Sequence, residues 1–222
     1  VGRTIGRAFY AYAGMLYRRF DAVYAVSENG GATKLRDYGI HDVEVVPLGV
    51  EVGEFGPNRR DPHLRQRLGL ADGQPLLVYA GRLDNEKKPD LVADAFQRLP
   101  ESLGAKLALI GEGPLRKDIA ARKDPRIIMP GYVRDRAELA RWLASGDIYV
   151  SGMADETFGI SIIEAQASGL PVVGVAAGAM IDRVTDAMGR LGPVGDADTM
   201  AANILDVWNG NREPMARNAC EH

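Results

Sequence analysis

Glu164 is the sole charge between Thr157 and Ile181, and it follows Glu156 by eight positions in the run Glu156-Thr-Phe-Gly-Ile-Ser-Ile-Ile-Glu164. Burying an unpaired carboxylate costs several kcal/mol or forces it to take up a proton. A glutamate among Ile160, Ile162, Ile163, Ala165 and Ala167 therefore needs donors facing it. Sugar hydroxyls are donors of that kind. Phe158-Gly159 reads as the turn that opens a helix running to Ser168-Gly169, with Pro171 ending it and starting a strand. The first amides of such a helix are unpaired and sit at the positive end of its dipole, the arrangement by which α/β proteins hold phosphates. A second reading keeps both acids structural: Glu156 caps the helix and Glu164 pairs with a basic residue in the core.

Two cations complete the set. Arg82 and Lys87 stand in Gly81-Arg-Leu-Asp-Asn-Glu-Lys-Lys-Pro89, between an apolar β-rich run, Leu76–Ala80, and an amphipathic helix from about Asp90 to Leu99. Ligands of open parallel sheets bind beyond the carboxyl ends of the strands, where this loop must lie. Arg82 offers a planar fork of donors suited to phosphate oxygens and Lys87 a movable point charge. The plainer reading of both is a solvated basic loop.

The elements that must position these residues follow the same strand, loop, helix rhythm. Lys106–Ile110 leads into Gly111-Glu-Gly-Pro114 and a helix from about Leu115 to Arg122. A strand around Ile127–Met129 precedes Pro130-Gly-Tyr-Val133 and a helix from Asp135 to Ala144. Strands at Asp147–Ser151 and Pro171–Val175 flank the helix that carries Glu164, and Thr199–Trp208 closes the series as a helix. Gly111-Glu-Gly113 is no dinucleotide fingerprint, because Arg116 occupies the position of the third glycine. Asp196-Ala-Asp198 has the spelling of a diphosphate-metal motif, but its place before a helix predicts a cap instead. His41, His63 and His222 are scattered and read as surface residues, so no metal ligand set is expected.

These motifs resemble those of the family 4 (group 1) glycosyltransferases, the retaining sugar transferases of the GT-B superfamily, whose signature is two glutamates separated by seven residues. The resemblance implies that Arg82 and Lys87 clamp the donor's diphosphate, that Glu156 addresses donor-sugar hydroxyls and that Glu164 takes the ribose hydroxyls. Backbone amides near Phe158, Gly159 and Ile160 would assist the diphosphate. Gly111 and Gly113 would form a tight turn near the nucleotide, and Gly131, Tyr132 and Val133 would border the base; ordinary packing is an equal reading for Tyr132. The chain departs from the family pattern twice. Lys88 stands where glycine is frequent, either reshaping the loop or adding charge at its tip. Ala177-Gly-Ala-Met-Ile-Asp182 replaces a usual Gly-Gly and Pro-Glu, and Asp182 is assigned no contact.

The fold that follows is α/β, a Rossmann-like doubly wound parallel sheet with a remnant of a second such unit before it. Strands at Asp21–Ser27 and Val43–Val46 around a helix from Asn29 to Tyr38 resemble the closing part of an amino-terminal domain. The expected boundaries are 1–47 for that acceptor-side remnant, 48–62 for an irregular crossing, 63–212 for the donor-binding domain and 213–222 for the start of a terminal helix. Val1 does not read as a natural start, so the chain reads as a truncated or partly ordered part of a longer protein.

A net charge of -3 gives no basic field for nucleic acid. Arg3, Arg7, Arg18 and Arg19 interleave with Phe9, Tyr10, Tyr12, Leu16 and Tyr17, which reads either as a basic amphipathic helix for peripheral contact with the inner face of a membrane or as a domain helix packed on its sheet. One cysteine, Cys220, excludes an intrachain disulfide and fits a reducing, cytoplasmic setting. The expected function is transfer of a sugar from a UDP- or GDP-sugar to a hydroxyl of a lipid or glycan acceptor, with no cofactor. Two other readings share the donor site: a binding module without turnover, and a GT-B epimerase acting on a sugar nucleotide.

Overall fold

The computed structural model describes residues 12–17, 19–210 and 212–221. Residues 12–17 are helical (α1), and most of the basic interleaved segment before them lies outside the described residues. Two parallel two-residue strands follow, β1 (Tyr24–Ala25) and β2 (Glu44–Val45). Between them a π-turn over Glu28–Ala32 leads into α2 (Thr33–Asp37). The expected strands and helix are thus present but shorter. The stretch to residue 62 is irregular except for a single 3-10 turn, Pro57–Arg59, yet Phe55 within it is fully buried against the main sheet.

Six parallel strands form that sheet: β3 (Leu76–Ala80), β4 (Lys106–Ile110), β5 (Ile127–Gly131), β6 (Ile148–Val150), β7 (Val172–Val175) and β8 (Gly189–Gly192). Their order is β5-β4-β3-β6-β7-β8, so the topology reverses between β3 and β6. Alternate residues explain why the strands read as continuous apolar runs. Leu77, Tyr79, Leu107, Leu109, Ile148, Val150, Val173 and Val175 face one helical layer, whereas Leu76, Val78, Ala108, Ile110, Tyr149 and Val172 face the other. A parallel sheet covered on both faces needs apolar side chains at both parities.

The covering helices are α3 (Pro62–Arg67), α4 (Pro89–Gln97), α5 (Arg116–Ala120), α6 (Arg136–Ser145), α7 (Ile160–Ala167), α8 (Met180–Arg183), α9 (Ala197–Asn209) and α10 (Arg212–Glu221). Helices α4 and α9 pack together on one face, while α6 lies beside α3 and α7 on the other. Asp135 and Asp196 cap α6 and α9 through the amides of Ala137 and Thr199, both at 2.9 Å. Asp196 also accepts from the Thr199 hydroxyl at 2.6 Å, so its carboxylate is used as the expected cap. β5 runs past Met129 through Pro130 to Gly131, which an edge strand allows because its outer amides need no partner. β8, α3 and α8 were not foreseen from sequence.

Candidate active site

The exit of β3 is fixed from below by two tyrosines. The Tyr79 hydroxyl donates to the Arg82 carbonyl at 2.7 Å and the Tyr149 hydroxyl to the Ala80 carbonyl at 3.1 Å. Burial pushes both phenols well above the usual range, so they remain protonated donors. Beside them the Gly111 amide donates to Gly131 (2.9 Å) and the Gly81 amide to Ile110 (3.0 Å), tying the ends of β3, β4 and β5 together. A Cβ at Gly111 would stand 1.9 Å from the Gly81 carbonyl oxygen, so only glycine fits this approach.

Above these strand ends opens a cleft of about 330 Å³. Its walls are Ala80, Gly81 and Arg82 after β3, Ile110, Gly111 and Glu112 after β4, and Tyr132 and Val133 after β5. Leu139 of α6 with Ser161 and Glu164 of α7 close it. Five of the residues predicted from sequence therefore meet in one place: Arg82, Gly111, Tyr132, Val133 and Glu164. Tyr132 is 69% exposed, which overturns the packing reading and leaves its ring at the cleft. Gly113 and Gly131 lie outside the walls; Gly113 packs directly beneath the Leu83 backbone.

Lys87, Glu156 and Gly159 form an adjoining cluster. Lys87 Nζ sits 3.1 Å from Glu156 Oε2, and the Gly159 amide donates to Glu156 Oε1 at 3.0 Å. The Gly159 amide is thus not free for a ligand: Glu156 accepts it, in a bond that precedes the helix and leaves the first amides of α7 uncapped. Gly159 adopts a left-handed φ of 85°, turning the chain into α7, and no side chain caps the helix at that position. The amides that follow, at Ile160 and Ser161, have no intrahelical acceptor. Ile160 itself is exposed at the helix head. The Phe158 ring is buried, with the Arg183 guanidinium 4.3 Å from its centroid. Only its backbone faces the turn.

Glu164 is buried, its side chain 6% exposed, and Arg136 Nη2 lies 3.2 Å from its Oε1. The pairing reading thus has its basic partner, but that partner is half-exposed rather than in the core. Desolvation pushes the Glu164 carboxyl above the usual range, and Arg136 opposes the rise. Arg82, by contrast, is 68% exposed on its side chain and paired with Asp84 (3.2 Å) and Glu86 (3.1 Å). Surface pairs of this kind contribute little, so an incoming anion displaces them at small cost.

Lys88 answers the first departure from the family pattern. It takes a left-handed conformation itself, φ 54° and ψ 46°, at the head of α4, so the loop keeps the turn that a glycine would make at a cost of roughly 1–2 kcal/mol. Asp182, left unassigned by sequence, accepts from the Asn29 amide at 2.9 Å and from Asn29 Nδ2 at 2.5 Å. It ties the two sheets together and does not line the cleft. Arg136, Ser161 and Glu112 were missed as site residues. Three arginines, Arg134, Arg136 and Arg141, cluster after β5, and no local pattern tells which turns toward Glu164.

The model of the family "Glycosyl transferases group 1" matches residues 74–209, which span β3 to α9. The chain belongs to the group 1 glycosyl transferases. Among its relatives, a D-inositol 3-phosphate glycosyltransferase of Xylanimonas cellulosilytica is 30% identical over 98% of this chain and 55% of its own length. A GDP-mannose-dependent alpha-mannosyltransferase of Mycobacterium tuberculosis is 35% identical over 86% of this chain and 48% of its own length. The chain thus spans about half the length of the curated relatives it matches. Among solved structures, Anabaena HepE in complex with UDP and glucose superposes with a TM-score of 0.81 at 21% identity, covering 100% of this chain and 63% of that one. Sucrose-phosphate synthase of Thermosynechococcus elongatus gives 0.79 at 23%, covering 96% and 55%. The shared GT-B architecture places this group 1 chain's parallel sheet and its exit loops in the expected fold. Among the described residues no helix is long and apolar enough to cross a membrane; His41 and His63 are exposed as expected, and His222 lies outside the described residues.

Proposed function

We propose that this chain forms the donor half of a retaining hexosyltransferase that moves a sugar from a UDP- or GDP-sugar to a hydroxyl of a lipid or glycan. The observation that carries this reading is the convergence of Arg82, Tyr132 and Glu164 in one cleft beyond the carboxyl ends of β3, β4 and β5. The Lys87–Glu156 pair stands at the head of α7 beside it. In this reading residues 63–212 are the donor domain, 48–62 the crossing and 213–222 the terminal helix. The small sheet within 1–47 belongs to the acceptor side.

Arg82, Lys87 and the first amides of α7 would stabilise the diphosphate as its bond to the anomeric carbon lengthens, which is where leaving-group charge develops. Glu164 would accept from the ribose hydroxyls, and Glu156, held by Lys87 and Gly159, from the donor sugar. Gly131, Tyr132 and Val133 would border the base. The acceptor would approach from across the crevice. The relatives named as GDP-mannose-dependent make GDP-mannose the first donor to try, while UDP in the HepE complex keeps uridine donors in the set.

Calorimetric titration with UDP, GDP and ADP tests the reading. Wild type is expected to bind UDP or GDP, Arg82→Ala and Lys87→Ala each to weaken that binding about tenfold or more, and NAD to give no heat. Absence of any nucleoside diphosphate binding by the wild type overturns it.

A further inference from the structure

Glu164 presents its two carboxylate oxygens to different surroundings. Oε1 is 3.2 Å from Arg136 Nη2, and Arg136 stands outside the cleft wall. Oε2 accepts no hydrogen bond among the described residues, although Glu164 itself lines the cleft. Arg136 is in turn held from the irregular segment that joins the two sheets. Its Nε donates to Glu54 Oε2 at 2.6 Å, and its guanidinium lies 4.9 Å from the centroid of the buried Phe55 ring. At the first position of α6, with Asp135 as the cap, the backbone of Arg136 is fixed as well.

We propose that Arg136 is a positioning residue: it pins one oxygen of Glu164 so that the other faces the cleft, and Glu54 and Phe55 of the crossing segment hold it in that pose. The proposal rests on the donor-site reading of Glu164 and extends it to residues outside the cleft. A guanidinium fork fixed on two sides is suited to this task, since one nitrogen can bind the anchor and another the acid. Its charge also matters. The groups facing Glu164 are Arg136, Glu54, Tyr149 and, across the cleft, Arg82 and Glu112. Arg136 is the one cation among them in direct contact. Removing it leaves a desolvated carboxyl that takes up a proton at higher pH, and a protonated Glu164 accepts poorly from hydroxyls.

The test is the affinity for UDP and GDP, by calorimetry, from roughly pH 5.5 to 8, on wild type, Arg136→Met, Arg136→Lys and Glu54→Gln, with thermal unfolding measured in parallel. Arg136→Met is expected to bind about tenfold more weakly at the acid end, with the deficit shrinking as pH rises. Arg136→Lys keeps the charge but not the fork and is expected to lose about threefold evenly across the range, and Glu54→Gln, which loosens Arg136 but also removes a negative charge near Glu164, to lose about threefold with no added deficit at the acid end. A folded Arg136→Met that matches wild type at every pH, even with a lowered unfolding temperature, overturns the proposal. So does the same acid-end deficit in Arg136→Lys as in Arg136→Met. Should Arg136→Met fail to fold, Glu54→Gln decides: unchanged affinity across the range overturns the proposal. Wild type that binds neither diphosphate sinks the donor-site reading together with this one, whereas wild-type binding with unaltered variants sinks this one alone.

Discussion

The six-stranded sheet and the two-stranded pair before it use the same parallel strands and helical connections, yet they are held by different forces. In the larger unit, β3, β4, β6 and β7 are buried on both faces and aromatic and branched side chains fill the layers. In the smaller, β1 and β2 contribute two residues each, and the buried apolar set is Ala25, Ala32, Ile40 and Val43. So small a core stabilises little by area. What ties the small sheet down is a polar and steric seam with the large one: Asn29 on Asp182, the Ser27 hydroxyl on the Thr157 carbonyl at 2.5 Å, and Arg183 Nη2 on the Val26 carbonyl at 3.3 Å. The seam meets the chain at Thr157, one residue after Glu156. The apolar unit builds the cleft, and the polar seam decides how the small sheet leans on the cleft's edge.

Removing the anchor of the larger unit gives the largest expected effect. Asp147, its side chain 5% exposed, lies 2.8 Å from Arg65 and 3.3 Å from Arg60 and accepts from the Leu76 amide at 2.8 Å. Asp147→Ala leaves these donors without their acid, and a loss of about 3–5 kcal/mol is expected in denaturant unfolding. A loss below about 1 kcal/mol would show that the large unit does not depend on this junction.

Gly30→Ala attacks the seam instead. The added Cβ would stand 2.5 Å from the Ser27 hydroxyl and 2.6 Å from the carbonyl oxygens of Glu156 and Thr157. A cost of about 1–3 kcal/mol is expected, localised to the small sheet. Amide hydrogen exchange should speed up over residues 23–46 while β3 and β4 keep their protection; uniform acceleration would mean that the two units unfold as one.

The smallest effect on stability, and the sharpest on function, is expected from Glu164→Gln. A carboxyl whose folded value is raised binds its proton more tightly in the native state, so the native protein loses stability as pH climbs above the ordinary glutamate range. Relative to wild type, Glu164→Gln should therefore fare better at neutral pH than at acid pH, offset by the lost Arg136 contact, while nucleotide affinity falls. Melting curves across pH check the sign, and a variant that is much less stable at neutral pH with unchanged affinity would return Glu164 to a purely structural role.

The strands of the large sheet were legible because both parities are apolar and Gly or Pro bounds each run, as at Leu76–Ala80 and Lys106–Ile110. β8 was not, since Gly189-Arg-Leu-Gly192 carries no apolar run and pairs only with β7 at the sheet edge. α8, a single turn over Met180–Arg183, is too short for any periodicity to register. The crossing hid Phe55 because an isolated aromatic in a Gly- and Pro-rich stretch gives no signal of burial. Arg82 was legible because it follows a strand, and Glu164 because it is the sole charge in the apolar stretch that forms α7, whereas Tyr132 and Val133 came from the family resemblance.

Sequence by itself determined that the loops after the strands would gather at the carboxyl edge of the sheet. Parallel strands joined by right-handed crossovers send every exit loop to the same side, so strand order along the chain is enough. Tertiary structure alone decided how those side chains are partnered. Lys87 with Glu156, Arg136 with Glu164 and Asn29 with Asp182 join residues from 28 to 153 positions apart. Local periodicity encodes which face a residue takes, whereas an ion pair depends on distances between elements that only packing sets.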